Sequence, residues 1–95
     1  MLYGPTVNDL RAGVIAAAPD AVFVFDRVMA DGTLCMAVDS AELRIGFEYS
    51  NGVEFVEACL FDHLAESPDE GFRWSADASN ATAVSELIAD LAKHL

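Results

Sequence analysis

Apolar and polar residues recur with two different periods along this chain, and the changes of period mark its elements. Val7, Leu10, Val14, Ile15 and Ala18 fall at helical spacing. Thr6-Val7-Asn8-Asp9 has the form of a capping box, a hydroxyl with an acid three residues on. Pro19 ends the run. A first helix is therefore predicted over residues 7–18. From 21 to 61 the apolar runs are short and bounded by turn signals. Val22-Phe23-Val24-Phe25 and Val28-Met29 lead to Asp31-Gly32, and Leu34 to Val38 returns. A link at Asp39 to Glu42 precedes Leu43 to Ser50, and Asn51-Gly52 leads into Val53 to Phe61. Asp-Gly and Asn-Gly favour two-residue hairpin turns, so four antiparallel strands are predicted. Val84, Leu87, Ile88, Leu91 and Leu95 restore the helical period. They predict a second helix over 80–94, with Lys93 and His94 at its electronegative end. The stretch 62–79 is long for a connection in a compact domain. It contains Gly71-Phe72-Arg73-Trp74, which reads either as a short fifth strand near 71–75 or as a loop folded over the core.

The strand register follows from the turns. A two-residue turn at Asn51-Gly52 sets Phe47 opposite Val56, Ile45 opposite Ala58 and Leu43 opposite Leu60. A tight turn at Ser40-Ala41 sets Leu34 opposite Phe47 and Met36 opposite Ile45. Asp31-Gly32 as a two-residue turn sets Met29 opposite Leu34 and Phe25 opposite Val38. One face of the sheet is then apolar, and because a one-residue slip would turn every side chain over, the agreement of three turns is informative. Arg27 alone conflicts, standing in that face beside Met36. It is read as an edge charge that snorkels to solvent and discourages edge-to-edge pairing. The expected fold is α+β, a four-stranded antiparallel meander with N- and C-terminal helices packed on one face (αββββα), in a single domain covering residues 1–95.

Composition narrows the role. The chain is 54% hydrophobic, which argues against disorder, and no apolar run reaches the length of a membrane span. Residues 1–8 have neither the basic start nor the apolar stretch of a signal peptide, so a cytoplasmic location is expected. Cys35 and Cys59 then fit as free thiols, placed by the register on different rows, two strands or roughly 10 Å apart. Asn80-Ala81-Thr82 matches a glycosylation acceptor without the secretion that would use it. Sixteen acidic residues against five basic ones give a net charge of −11. Such a field repels nucleic acid and anionic membranes and speeds encounter with a basic surface. It also serves solubility.

No catalytic arrangement stands out. Asp62-His63 with Ser67 or Ser75 lacks the nucleophile elbow and oxyanion loop of a hydrolase. No Cys/His spacing suits zinc, no acidic loop suits calcium and no glycine-rich loop suits a phosphate. No metal or cofactor is expected. Two candidate binding clusters remain. Phe72 and Trp74, beside Asp69, Glu70 and Asp77, combine aromatic anchors with carboxylates, or else cap the core. Glu48, Phe55 and Glu57 belong to the opposite sheet face with Val22, Val24, Asp26, Val28, Cys35, Arg44, Cys59 and Phe61. That mixture is too apolar for open solvent and too charged for a second core, unless helix one or the Phe72–Trp74 segment covers it. Arg44, with Glu57 and Glu48 diagonal to it, reads either as a polar anchor within an interface or as one half of an ordinary cross-strand ion pair.

By analogy of charge and size alone, the chain looks like an inhibitor or immunity-type protein that neutralises a basic partner, such as a toxin or nucleic-acid-binding protein. That reading leans on the carboxylates being gathered on one surface, and a uniform scatter together with a deeply buried Trp74 would count against it. A secretion-chaperone-like homodimer, joined through the outer sheet face and holding an extended client, is the first alternative. A small ligand-binding or enzymatic domain, with a pocket lined by Arg27, His63 or Tyr49, is the second.

Overall fold

Where each helix starts is decided by one side chain. Thr6 accepts the Asp9 N–H through its hydroxyl at 3.1 Å, while the Asp9 carboxylate accepts the Thr6 N–H at 2.8 Å. This reciprocal box opens α1, Val7–Ala17. Asn80 accepts the Ala83 N–H at 3.1 Å and opens α2, Ala81–Ala92, so the apparent glycosylation triplet is a helix cap. Between the helices lie β1 (Phe25–Val28), β2 (Leu34–Val38), β3 (Ala41–Ser50), β4 (Val53–Asp62) and β5 (Gly71–Asp77). The computed structural model describes residues 6–62 and 71–95 of the chain.

The strands form one antiparallel sheet in the order β1-β2-β3-β4-β5. Gly71-Phe72-Arg73-Trp74 is therefore the fifth strand and not a loop over the core. The fold is α+β, with both helices on one face. Leu10 and Val14 of α1 and Val84, Leu87 and Leu91 of α2 join Leu34, Met36, Leu43, Ile45, Val56, Ala58 and Leu60 in one core. Leu34, Met36, Leu43, Ile45 and Val56 are wholly buried, each contributing about 1.5–3 kcal/mol. α2 lies against β5, α1 lies against α2, and Arg11 of α1 reaches β1 to grip both oxygens of Asp26. Among the described residues, no helix is long and apolar enough to cross a membrane.

The register agrees with expectation at one turn and differs at two. Asn51 and Gly52 take φ of 53° and 77°, a two-residue turn that pairs Phe47 with Val56 and Leu43 with Leu60. At the β2–β3 corner the turn is Asp39-Ser40 and not Ser40-Ala41, because Ala41 pairs with Val38 and is buried in the core. This moves the register by two, so Leu34 faces Ile45 and every side chain keeps its side.

The β1–β2 corner has a larger consequence. A two-residue turn there would require a positive φ at Asp31. Asp31 keeps a negative φ, and its carboxylate instead accepts the Thr33 N–H at 3.0 Å. The loop is Ala30-Asp31-Gly32, closed by Gly32 N–H to Met29 O (2.9 Å) and Met29 N–H to Thr33 O (2.7 Å), with Gly32 at φ 90°. Adding one residue to the loop shifts β1 by one. Val28 now faces Leu34 and Arg27 faces Cys35. Arg27 leaves the helix-covered face, which resolves its conflict, and Asp26 turns into that face to meet Arg11. Val22 and Val24, expected on the outer face of a longer first strand, precede β1 and are 76% and 68% exposed.

Candidate functional site

The opposite face of the sheet is uncovered among the described residues, and its composition follows from the corrected register. One row across the five strands reads Arg27, Cys35, Arg44, Cys59, Arg73. Both cysteines thus share a row, contrary to the sequence expectation, with Arg44 of β3 between them. The two intervening strand spacings, roughly 10 Å, exceed the reach of a disulfide. Cys35 is buried at 5% exposure and donates its S–H to Glu42 at 3.3 Å. Burial first, then the Glu42 carboxylate, pushes its pKa up, which makes it an inert thiol at neutral pH. Arg44 pairs with Glu42 on its own strand at 3.4 Å and lies 5.6 Å over the Phe61 ring. Arg44 forms no ion pair with Glu57 or Glu48.

On one side of this row lie Phe25, Ala37, Glu42 and Phe61; on the other lie Gly46, Glu57 and Ser75, followed by Glu48, Phe55 and Asp77. Gly46 has no side chain, and a shallow depression of about 260 Å³ opens over it, lined by Thr33, Arg44, Glu48, Glu57 and Cys59. The Glu57 carboxyl is held above its usual range, first by hydrogen bonding to Glu48, then by desolvation and the charge of that same neighbour.

A second feature stands at the corner of β5 and α2. Phe72 and Trp74 alternate onto the helix-covered face, opposite Leu60 and Ala58. Trp74 is half-buried and packs on the core, whereas Phe72 is 52% exposed. α2 stops at Ala92, Lys93 caps it and pairs with Asp90 at 3.5 Å, and His94 folds back onto the aromatics. Its ring stacks on Phe72 at 4.2 Å and lies 5.7 Å from Trp74; the Phe72 and Trp74 rings are 5.9 Å apart. The result is a short ladder with its outermost ring in solvent.

The structure therefore divides the residues selected from the sequence. Phe72 and Trp74 meet at the β5–α2 corner. Asp77 is not with them: it sits on the bare face opposite Phe55, where its carboxylate accepts the Ser79 N–H (2.9 Å) and hydroxyl (2.7 Å). Glu48, Phe55 and Glu57 lie on that bare face, as expected. Asp69, Glu70, His63 and Ser67 lie outside the described residues. Val22, Val24, Asp26 and Val28 do not belong to the outer face. Sequence reasoning missed His94, whose helical position suggested only a dipole partner. It also missed the arginine row, which appears only once the β1 loop has three residues.

Several of the described carboxylates are engaged locally, at separate points of the fold. Asp9 caps α1, Asp26 binds Arg11, Asp31 and Asp77 fix turns, and Glu42 holds Cys35 and Arg44. Among the described residues no carboxylate, amine or guanidinium side chain is buried, so the charged groups lack the strong desolvation that most retunes an acid or base. No family model, no curated protein and no solved structure matches the chain.

Proposed function

We propose that this chain is a non-catalytic protein-binding module of the inhibitor or immunity type, which docks Phe72 into a basic partner protein. The observation that carries the reading is the ladder. A phenylalanine 52% exposed, yet held at 4.2 Å by His94 and backed by Trp74, is an anchor already in place before any partner arrives. Fixing a side chain beforehand removes an ordering cost of about 0.5–1.5 kcal/mol from binding. The net charge of −11 supplies the other half of the reading, since it accelerates encounter with a basic protein. In the chain, Asp69-Glu70 directly precedes Gly71 and Phe72, so acidic residues are tethered close to the anchor.

The test is affinity capture from a lysate with wild-type and Phe72→Ala baits, at about 50 mM and about 500 mM salt, where screening lengths differ roughly threefold. A basic protein held by the wild type, weakened by salt and weakened at least about tenfold by Phe72→Ala, is the expected result, on the scale of a binding hot spot. A partner indifferent both to salt and to Phe72→Ala would remove the reading.

A further inference from the structure

The bare face carries a symmetry that its own chain does not use. On β3, Arg44 and Glu48 stand four residues apart with Gly46 midway; on β5, Arg73 and Asp77 stand four apart with Ser75 midway. On β4, Cys59 and Phe55 flank Glu57 in the same way. Gly46, Glu57 and Ser75 form one row across the three strands. Four residues along a strand span about 13 Å, and within one chain neither Arg44 and Glu48 nor Arg73 and Asp77 form an ion pair. A half-turn about the Gly46–Glu57–Ser75 row, however, exchanges the two ends of each strand. It brings Arg44 of one copy over Glu48 of another, Arg73 over Asp77, and Cys59 over Phe55, each of them twice.

We propose that this face is a homodimer interface, in which two sheets pack face to face about a two-fold axis along the Gly46–Glu57–Ser75 row. Sheets packed in this way lie about 10 Å apart, within roughly 30° of alignment, a gap that an arginine and a facing carboxylate fill together. Charge selects this surface for a second copy. Arg27, Arg44 and Arg73 stand here against Glu42, Glu48, Glu57 and Asp77, so the face is nearly balanced in a chain whose total is −11. The half-turn sets Arg44 on Glu48 and Arg73 on Asp77 and leaves Glu57 facing Glu57 of the second copy. Only β3, β4 and β5 continue to both sides of the row, β1 and β2 lying wholly on its Arg44 side. The overlapping parts of those three strands tile on the order of 350 Å² before side chains add relief, the extent of a small interface held by its paired charges. Val53, 37% exposed, and the half-buried Phe55 and Phe61 supply apolar contact. The Glu57 side chains near the axis have the 260 Å³ depression beside Arg44 to turn into. The proposal is independent of the Phe72 corner, which lies on the other face.

Sedimentation velocity tests it. At about 100 µM, well above the Kd of a micromolar interface, the wild type is expected at twice its 10.2 kDa mass. Glu48→Arg sets two arginines against each other across the axis and should weaken dimerisation at least tenfold. Arg44→Glu with Glu48→Arg reverses both signs and should restore the dimer, which no contact within one chain could produce. Far-UV circular dichroism checks that each variant is folded. A wild type monomeric at about 1 mM, above any specific interface, overturns the proposal. So does a Glu48→Arg variant that dimerises as tightly as wild type, which would place the contact elsewhere, or a folded double variant that stays monomeric.

Discussion

Gly71 opens β5 and, with it, the strand that carries Phe72 and Trp74. Its backbone is not in the left-handed region, so conformational freedom is not why a glycine stands there. Space is the reason. A Cβ at this position would lie 2.6 Å from the Leu60 carbonyl oxygen and 3.6 Å from a Phe61 ring carbon. Real Cβ atoms essentially never come within 3.0 Å of another heavy atom, and the obstacle is backbone. Leu60 is 3% exposed, with its side chain locked in the core, so β4 holds and β5 must move outward by about half an ångström. Overpacking of this kind costs roughly 1–3 kcal/mol. The loss of glycine freedom from the unfolded chain returns about 0.4–1 kcal/mol. Gly71→Ala should therefore destabilise by about 1–2 kcal/mol, lowering Tm by roughly 5–15 °C in a domain of this size. Gly46→Ala is the control. It is the same substitution in the same sheet, but its new Cβ meets only the Thr33 side chain, at an ordinary 3.6 Å from the hydroxyl and 3.9 Å from the methyl. It should be neutral or stabilising by up to about 1 kcal/mol. Urea unfolding followed by Trp74 fluorescence and circular dichroism gives both midpoints. A Gly71→Ala midpoint at or above wild type, or equal shifts for the two variants, refutes the steric account.

Two predictions concern charge. Asp26 is held below its ordinary 3.8 by hydrogen bonding to Arg11, Asp9 by the Thr6 N–H, Asp31 by the Thr33 N–H, and Asp77 by the Ser79 hydroxyl and then its N–H. A depressed carboxylate contributes stability fully above its unfolded pKa and loses it as pH falls through the lower folded one. Melting temperature should accordingly fall below about pH 4, and Asp26→Asn should flatten that fall while lowering stability at neutral pH; an unchanged acid profile would exclude the Arg11 contact. Glu57 has the opposite sign, because hydrogen bonding to Glu48 raises its pKa and makes its ionised form unfavourable. Glu57→Gln should raise Tm at pH 7, on the scale of like charges on neighbouring strands, about a few tenths of a kcal/mol, with the gain vanishing in acid. A Glu57→Gln Tm below wild type at pH 7 would sink this account.

The parts of the fold that were legible in the sequence are those fixed by local chemistry. Thr6 and Asp9 declare the start of α1, Asn51-Gly52 can only be a left-handed turn, and Val84, Leu87 and Leu91 mark one stripe of α2. Asp31-Gly32 misled because the same dipeptide serves loops of two lengths. Which length forms depends on whether the Asp31 carboxylate captures the Thr33 N–H, a contact that residue type alone does not announce. That single choice moved four residues of β1 to the other face. It carried Arg27 from an awkward place in the core to the end of the arginine row. His94 was illegible for another reason: its role depends on α2 ending at Ala92 within reach of Phe72, a tertiary distance without any local signature.

The local engagement of several carboxylates separates two things that net charge alone would merge. Because Asp9, Asp26, Asp31 and Asp77 cap, bridge and fix turns at separate points, the net charge acts on a distant basic partner as a field and not as one acidic site. Field effects appear in the rate of encounter and are screened over a Debye length of about 8–10 Å near physiological salt. Contact effects appear in the rate of separation. For a basic partner, added salt should slow association while leaving dissociation nearly unchanged, and Phe72→Ala should speed dissociation while leaving association nearly unchanged. If instead Phe72→Ala acted on association and salt on dissociation, the anchor would not be the aromatic corner, and carboxylates would have to be making the close contacts.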